Sequence, residues 1–415
     1  MEGKCLDYKS GQTERLYDAD SYRKEFTAVV KECLADQKGY QVVLDCTAFF
    51  PEGGGQFGDT GWLEVIDEET ASDESCGNSH NADAVRVADT QEKDGVIYHR
   101  TDRMLTAGTK VRGWLDFEKR FDRMQQHSGE HIVSGIVHGR YGYHNVGFHL
   151  GDDVTTLDFD GELTAEQVDA VELLANQAVF ANLPVEILYP SRSELASLSY
   201  RSKIEIEGQV RLVRIPGVDL CACCAPHVGR TGEIGLVKVL SYEHHRGGCR
   251  MTIACGARAL ADYRKKQSSV TEVSVFLSAK PERIAEAVAH LKEQQMHLRE
   301  QFNRFQKVYL DEKLAMIRPE DRVVCIFEEE MDTIAIRNFV NDAMVRCSGV
   351  CGAFVGTDEA GYRYIIGSRA ADTREIAKKL NKSFDGRGGG KPEMVQGSLQ
   401  GTKAAIDAAF RELVR

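Results

Sequence analysis

The sequence predicts an α+β multidomain protein with four parts: an N-terminal β-barrel-like domain, an α+β domain, a long coiled-coil helix and a small α/β C-terminal domain. Three observations predict this. The chain has 415 residues, long for one hydrophobic core. Strand-like alternation dominates up to about residue 112, and a helical period opens at Phe117. No glycine then occurs between Gly256 and Gly349, and this interval contains a heptad pattern. The expected divisions are 1–112, 113–262, 263–319 and 320–415.

Composition narrows the function classes. Hydrophobic residues make up 42% of the chain, and no apolar run is long enough to span a bilayer. Met1-Glu-Gly-Lys-Cys-Leu-Asp7 has no apolar export region. Twelve cysteines are scattered without a compact disulfide framework, and several cluster with histidine. That distribution fits a reducing cytoplasm. A formal charge of −12 speaks against a generally basic nucleic-acid binder but permits a local basic surface.

In the first part, Gln41–Cys46, Thr60–Ile66, Ile97–His99 and Lys110–Trp114 read as strands. Asp67 to Asp83 holds six acidic residues and no Lys or Arg, as expected of a solvated insertion. Between two strands lies Thr47-Ala-Phe-Phe-Pro-Glu-Gly53-Gly54-Gly55-Gln56-Phe-Gly58-Asp59-Thr-Gly61. Consecutive glycines let backbone amides approach a ligand, while Thr47 and Gln56 offer a hydroxyl and an amide for recognition. A tight turn with no ligand is the plainer alternative.

The second part opens on a helix. Phe117, Phe121, Met124, Ser128, Ile132 and Ile136 recur at helical spacing, Asp116 suits an N-cap, and Gly139 and Gly142 offer a stop. His127 and His131, four residues apart, stack on one face where they can share a metal ion. A second cluster, Cys221-Ala-Cys223-Cys224-Ala-Pro226-His227, places three thiols and an imidazole close together. Pro226 disfavours a regular helix there, so a loop is expected, leading to a strand around Gly235 to Tyr242. His127, His131, Cys223 and His227 make a thiolate and imidazole set suited to tetrahedral Zn2+. Cys221 or Cys224 could ligate in place of Cys223, and buried structural thiols are the plain alternative. His144 and His149, close to the metal helix in sequence, could line the pocket but better suit structural or surface roles, and His244 and His245 suit a turn after a strand. His127-Ser-Gly-Glu130-His131 also fits the inverted zinc-peptidase pattern, with Glu130 as general base. That reading leaves Cys223-x-x-x-His227 unexplained.

Phe-Phe-Pro-Glu-Gly-Gly-Gly-Gln-Phe-Gly-Asp-Thr-Gly, the His127-x-x-x-His131 helix, and Cys-Cys-Ala-Pro-His-Val followed by Arg230-Thr-Gly-Glu-Ile-Gly235, in this order over roughly residues 40 to 260, together resemble the free-standing alanyl-tRNA editing proteins. These are relatives of the editing domain of alanyl-tRNA synthetase. The resemblance implies an aminoacyl-tRNA deacylase, a carboxylic ester hydrolase that removes serine, and glycine as a further substrate, from mischarged tRNA(Ala). It also implies zinc on His127, His131, Cys223 and His227, with Thr47 and Gln56 at the family's recognition positions. One departure stands out: Cys223-Cys224-Ala-Pro-His227 replaces the Cys-Gly-Gly-Thr-His of many relatives. A zinc-bearing tRNA-binding protein with impaired catalysis is the non-enzymatic alternative.

In the third part, Ile284, Val288, Leu291, Gln295, Leu298, Phe302, Phe305 and Tyr309 alternate four and three apart, a heptad seam that must bury a stripe. A homodimer through this helix is expected, with packing back on Val270 to Leu277 as the alternative.

The fourth part reads as a strand at Val323–Phe327, a helix at 333–346, strands at 353–355 and 362–366 and a helix at 373–384. Arg387-Gly388-Gly389-Gly390-Lys391 then reads as a phosphate-contacting loop with two cations. Arg369 to Arg415 contains ten Lys or Arg and six Asp or Glu, an RNA-facing balance. The segment resembles the C-terminal domain of alanyl-tRNA synthetase, which implies tRNA contact. A family of phosphoesterases shares the glycine-rich module, but the Asp-His-His stretch of its catalytic half is missing here, as is a nucleotide-binding synthetase core.

Overall fold

The computed structural model describes residues 12–37, 39–66, 83–202 and 209–414. The acidic insertion falls outside the described residues except for Asp83. The chain divides into two compact units, Met1–Ser269 and Val270–Arg415.

The first unit begins with β1 (Glu14–Arg15), α1 (Leu16–Ala19), β2 (Glu25–Asp36), β3 (Gly39–Leu44), β4 (Cys46–Thr47), β5 (Gly61–Val65), β6 (Val85–Lys93), β7 (Val96–Thr101) and β8 (Lys110–Leu115). Six of these close into a barrel in the order β2-β3-β7-β6-β5-β8, and closure removes the exposed edges of an open sheet. Val30, Val42, Leu44, Leu63, Val87 and Val111 are fully buried inside. The four strands expected from the sequence are here. So are two long strands, β2 and β6, that sequence reading did not find.

The metal-bearing helix is α2 (Phe117–Tyr141). It runs through Gly139 and stops at Gly142, whose left-handed φ of 75° and N–H bond to the His138 carbonyl end it. Asp116 occupies the N-cap position, but its carboxylate accepts from Thr60 and Arg86 instead of capping the helix. Beyond α2 come β9 (Asn145–Leu150), β10 (Thr155–Phe159), α3 (Ala165–Phe180), β11 (Glu186–Leu188), α4 (Arg192–Leu195), β12 (Leu212–Ile215), β13 (Asp219–Ala222), β14 (Val237–His245), β15 (Gly248–Cys255) and α5 (Gly256–Leu277). Sheets β14-β15-β10-β9 and β11-β12-β13 surround α2 and α3. His244 and His245 are the last residues of β14; the turn itself is Arg246-Gly247.

The second unit consists of α6 (Ile284–Ala315), β16 (Val323–Glu328), α7 (Thr333–Arg346), β17 (Val350–Thr357), β18 (Gly361–Ser368), α8 (Thr373–Ser383), β19 (Arg387–Lys391), β20 (Met394–Leu399) and α9 (Lys403–Val414). Its sheet runs β16-β17-β18-β20-β19. Two separate apolar cores, one with α6 and α7 and one with α8 and α9, pack on it. One expectation is corrected here. Arg387 to Lys391 is not a loop but the edge strand of this sheet, paired with β20. Within the single chain the heptad seam of α6 is left exposed, with Leu298 64% and Phe305 74% exposed. The helix instead buries Gln306, Leu310 and Leu314 near its C-terminal end against α7.

Candidate metal centre

Residues 120 to 135 of α2 are buried on nearly every side, polar ones included, so each polar group requires a partner. Gln126 exchanges two hydrogen bonds with the backbone of Cys255, at 2.9 and 2.7 Å. Gln125 donates to the Glu233 carbonyl at 2.8 Å. Two arginines tie the glycine motif to the helix. Arg120 bonds the Asp59 carboxylate and the Ala48 carbonyl, and Arg123 bonds the Gly58 carbonyl at 2.8 Å. Asp59 in turn accepts the Phe50 amide at 2.7 Å. The helix thereby fixes the motif from both of its ends.

On this scaffold the structure brings His127, His131, Cys223 and His227 together, with one donor atom of each within 4.8 Å of the others. The two histidines of α2 project from adjacent turns, their rings stacked at 5.5 Å. Cys223 and His227 come from the loop after β13. Arg211 pins that loop by donating to the Cys223 and Ala225 carbonyls at 2.7 and 3.1 Å. Ala225 is fully buried beside Tyr17, Phe50 and Ile97, so the chain's Cys-Cys-Ala-Pro-His departure is packed against the barrel side of the unit. Cys221 sits with His131 and Asp219 in a second, overlapping group, whereas Cys224 is exposed.

Each imidazole is oriented from behind. His127 Nδ1 donates to Gln56 Oε1 at 3.1 Å, His131 Nδ1 to Asp219 Oδ2 at 2.8 Å, and His227 Nδ1 lies 3.1 Å from Ser128 Oγ. A donated Nδ1 proton leaves Nε2 with a bare lone pair, the tautomer a metal requires. Nε2 of His127 and of His227 lie 3.5 and 3.4 Å from Cys223 Sγ. In a tetrahedron with bonds of about 2.1 Å to nitrogen and 2.3 Å to sulfur, that edge is roughly 3.6 Å. The donor set therefore fits a tetrahedral metal in chemistry, and its two measured nitrogen–sulfur edges fit in length.

Electrostatics favour the ligating ionisation states of Cys223 and His227, whereas His131 is held towards its protonated form, whose proton a metal must displace. Burial alone pushes the Cys223 thiol up, but His127, His227 and the hydrogen bonds from the imidazoles outweigh it and hold the group well below its ordinary value. Burial drives His227 down to about 3, so it stays neutral. Burial also lowers His131, yet its bonds to Asp219 and Cys223 win and raise it. Asp219 is kept ionised against burial by His131 and by Arg201, which bonds both carboxylate oxygens at 2.7 and 2.8 Å.

Gln56 thus belongs to the cluster through His127. Its Nε2 is buried and has no hydrogen-bond partner among the described residues. Thr47 is held by a different histidine: its Oγ1 lies 2.8 Å from His99 Nε2 and accepts the Phe49 amide at 3.1 Å. His99 Nδ1 donates to the Val42 carbonyl at 3.0 Å, so Nε2 receives the Thr47 proton. Glu130 accepts from Ser134 and Asn145 at 2.8 and 2.7 Å. Arg387 to Lys391 lie in the other unit, all five exposed. Next to Gly389, Gly390 and Lys391 is a cavity of about 340 Å³ that Arg337 and Asn341 of α7 also line. Asp219, Ser128, Arg120 and His99 were not predicted as site residues; Asp219, two positions before Cys221, carried the one available signal.

Comparisons with known proteins agree with the resemblance read from the motifs. Residues 6–119 match the family model for tRNA synthetases class II (A), residues 210–250 the threonyl and alanyl tRNA synthetase second additional domain, and residues 320–415 the DHHA1 domain. The chain is 33% identical over 254 residues to the alanyl-tRNA editing protein AlaX-L of Pyrococcus horikoshii, covering 60% of this chain and 59% of that one. It is 28% identical over 418 residues to the alanine-tRNA ligase of Pyrococcus abyssi, covering 96% of this chain and 43% of the ligase. With the Halobacterium salinarum ligase it shares 35% identity over 289 residues, 66% of this chain and 29% of the ligase. The chain therefore spans less than two thirds of the length of these relatives. The C-Ala domain of Aquifex aeolicus alanyl-tRNA synthetase aligns with 24% of this chain and 96% of its own at 18% identity, with a TM-score of 0.21, too low to assign a fold.

Proposed function

We propose that this chain is a trans-editing hydrolase that deacylates mischarged tRNA(Ala), chiefly Ser-tRNA(Ala) and also Gly-tRNA(Ala), at a zinc site built from His127, His131, Cys223 and His227. The observation that carries the reading is the convergence of three oriented imidazoles on one thiol, with Gln56 of the glycine motif bonded to one of them. Similarity to the AlaX-L editing protein supports the choice of substrate.

Bound there, zinc would supply Lewis acidity at the ester carbonyl or at water. The protein's own groups orient and select. Asp219, Gln56 and Ser128 hold the imidazoles in place. Selection of serine over alanine follows from a site that leaves polar groups unsatisfied when the hydroxyl is missing. In this reading the free Gln56 Nε2 donates to a serine hydroxyl oxygen, and Thr47 Oγ1, its own proton given to His99, accepts from a serine hydroxyl. Glu130 is engaged by Ser134 and Asn145, and both Cys223 and His227 join the cluster, which weighs against the inverted zinc-peptidase alternative.

The second unit holds the RNA in this reading. An edge strand of glycines presents backbone amides outward between Arg387 and Lys391, and single-strand or backbone phosphates are its natural counterpart. A cytoplasmic homodimer through α6 completes the proposal. Among the described residues no helix is long and apolar enough to cross a membrane.

The test is release of labelled serine from Ser-tRNA(Ala), with Ala-tRNA(Ala) in parallel and His131→Ala as control. Rapid serine release that the variant loses, with alanine spared, is expected. Serine release no faster than the uncatalysed reaction overturns the reading and leaves a zinc-bearing tRNA-binding protein.

A further inference from the structure

In the second unit, Cys347 Sγ and Cys351 Sγ lie 3.2 Å apart. Neither belongs to the metal cluster, and nothing in the proposed chemistry uses them. Cys347 caps the C-terminus of α7, its N–H bonded to the Ala343 carbonyl, and Cys351 is the second residue of β17. The backbone between them is pinned on both sides. Ser348 N donates to the Pro319 carbonyl at 3.1 Å and Val350 N to the Arg322 carbonyl at 2.9 Å, while the Gly349 carbonyl accepts from Ser368 Oγ at 2.9 Å. A Cβ on Gly349 would fall 1.8 Å from the Arg322 carbonyl oxygen, so this turn tolerates no side chain. Cys351 sits in the middle of the sheet, between Val324 of β16 and Gly367 of β17's other neighbour, β18. The two sulfur atoms are therefore held together by the fold.

Their exposures differ in a way that assigns roles. Cys347 is partly exposed and Cys351 fully buried. Of the two residues only Cys347 has solvent contact, so it is the one a soluble oxidant meets first. Closing from this separation to a bond of about 2.05 Å requires a movement of roughly 1 Å, within the range of side-chain rotation.

We infer that Cys347 and Cys351 form a modification site at which a low-molecular-weight disulfide such as oxidised glutathione is reduced and an intrachain disulfide is made. The Cys347 thiolate attacks one sulfur of the glutathione disulfide, forming a mixed disulfide and releasing one glutathione. Cys351 then gives up its proton and attacks Cys347 Sγ, expelling the second glutathione. Two thiols and one disulfide become one disulfide and two thiols, so electrons and protons balance. Burial raises the Cys351 thiol above its ordinary value, which keeps it the second of the two to react. The bond would staple the last turn of α7 to β17. That turn also carries Arg346, which donates to the Leu314 carbonyl of α6 at 3.1 Å, and Met344, which lines the cavity beside the glycine strand.

The test uses the full chain, treated with excess oxidised glutathione and quenched by alkylation. Trypsin cleaves after Arg346 and Arg363, and the peptide 347–363 contains both cysteines and no others. The expected product is this peptide lighter by two hydrogens and unalkylated, restored to the doubly alkylated form by dithiothreitol. Cys351→Ser should stop at the first step and carry one glutathione on Cys347. A wild-type peptide that stays doubly alkylated, or that accumulates as the glutathione adduct, overturns the inference. Far-ultraviolet circular dichroism of Cys351→Ser confirms that a missing adduct reflects chemistry and not misfolding; if the variant is unfolded, the wild-type peptide alone decides.

Discussion

His99 illustrates how a single buried side chain governs its neighbourhood. It lies inside the barrel wall with no exposure, giving one ring nitrogen to Val42 and the other to Thr47. Burial lowers its pKa to about 4, against the smaller opposing effect of the Val42 carbonyl. The folded protein therefore keeps this imidazole neutral while the unfolded chain begins to take up a proton near pH 6.5. Stability is lost as pH falls between those two values, by on the order of 3 kcal/mol from this group. Denaturant titrations at pH 7 and pH 4.5 should show the loss, and His99→Gln should flatten the slope. An unchanged slope in that variant would assign the pH dependence elsewhere. Asp219 acts at the same scale on the cluster. It fixes the His131 ring through a 2.8 Å bond, so Asp219→Asn, which can present either a donor or an acceptor to Nδ1, should weaken metal affinity about 10–100-fold. Competition with a chelating dye measures this without reference to catalysis.

At the scale of elements, α2 approaches its neighbours at glycines. A Cβ at Gly135 would lie 2.5 Å from the Val218 carbonyl oxygen and 2.7 Å from Asp219 Cβ, and neither atom is the end of a flexible side chain. Gly135→Ala should therefore push β13 away, cost about 1–3 kcal/mol of stability, and loosen metal binding through Asp219. A variant that keeps wild-type metal affinity and midpoint would show that β13 can yield. The helix was legible in the sequence because its apolar stripe has helical spacing and Gly142 stops it. Its polar residues told less, since Gln125, Gln126 and Ser128 find their partners on segments about 100 or more positions away. The strands β2 and β6 were hidden by physics of another kind. Each contains a bulge, after Val30 and after Val87, which interrupts strict two-residue alternation. The strand β19 was read as a loop because three glycines carry no side-chain pattern, and only pairing with β20 reveals it.

For the whole molecule, the heptad seam of α6 poses a question of association. Val288, Leu291, Leu298, Phe302, Phe305 and Tyr309 are each 41–74% exposed. The sequence announced the stripe, but a periodic pattern does not say whether its cover comes from the same chain. Large apolar side chains gain roughly 1.5–3 kcal/mol each on full burial, so a seam of six facing its copy offers a gain of the same order as the cost of association. Light scattering at micromolar concentration should give twice the 46.2 kDa chain mass. Leu298→Glu with Phe305→Glu should halve the mass and leave metal content unchanged, because the metal cluster belongs to the other compact unit. A monomeric wild type would remove dimerisation from the proposal while leaving the serine-release test untouched.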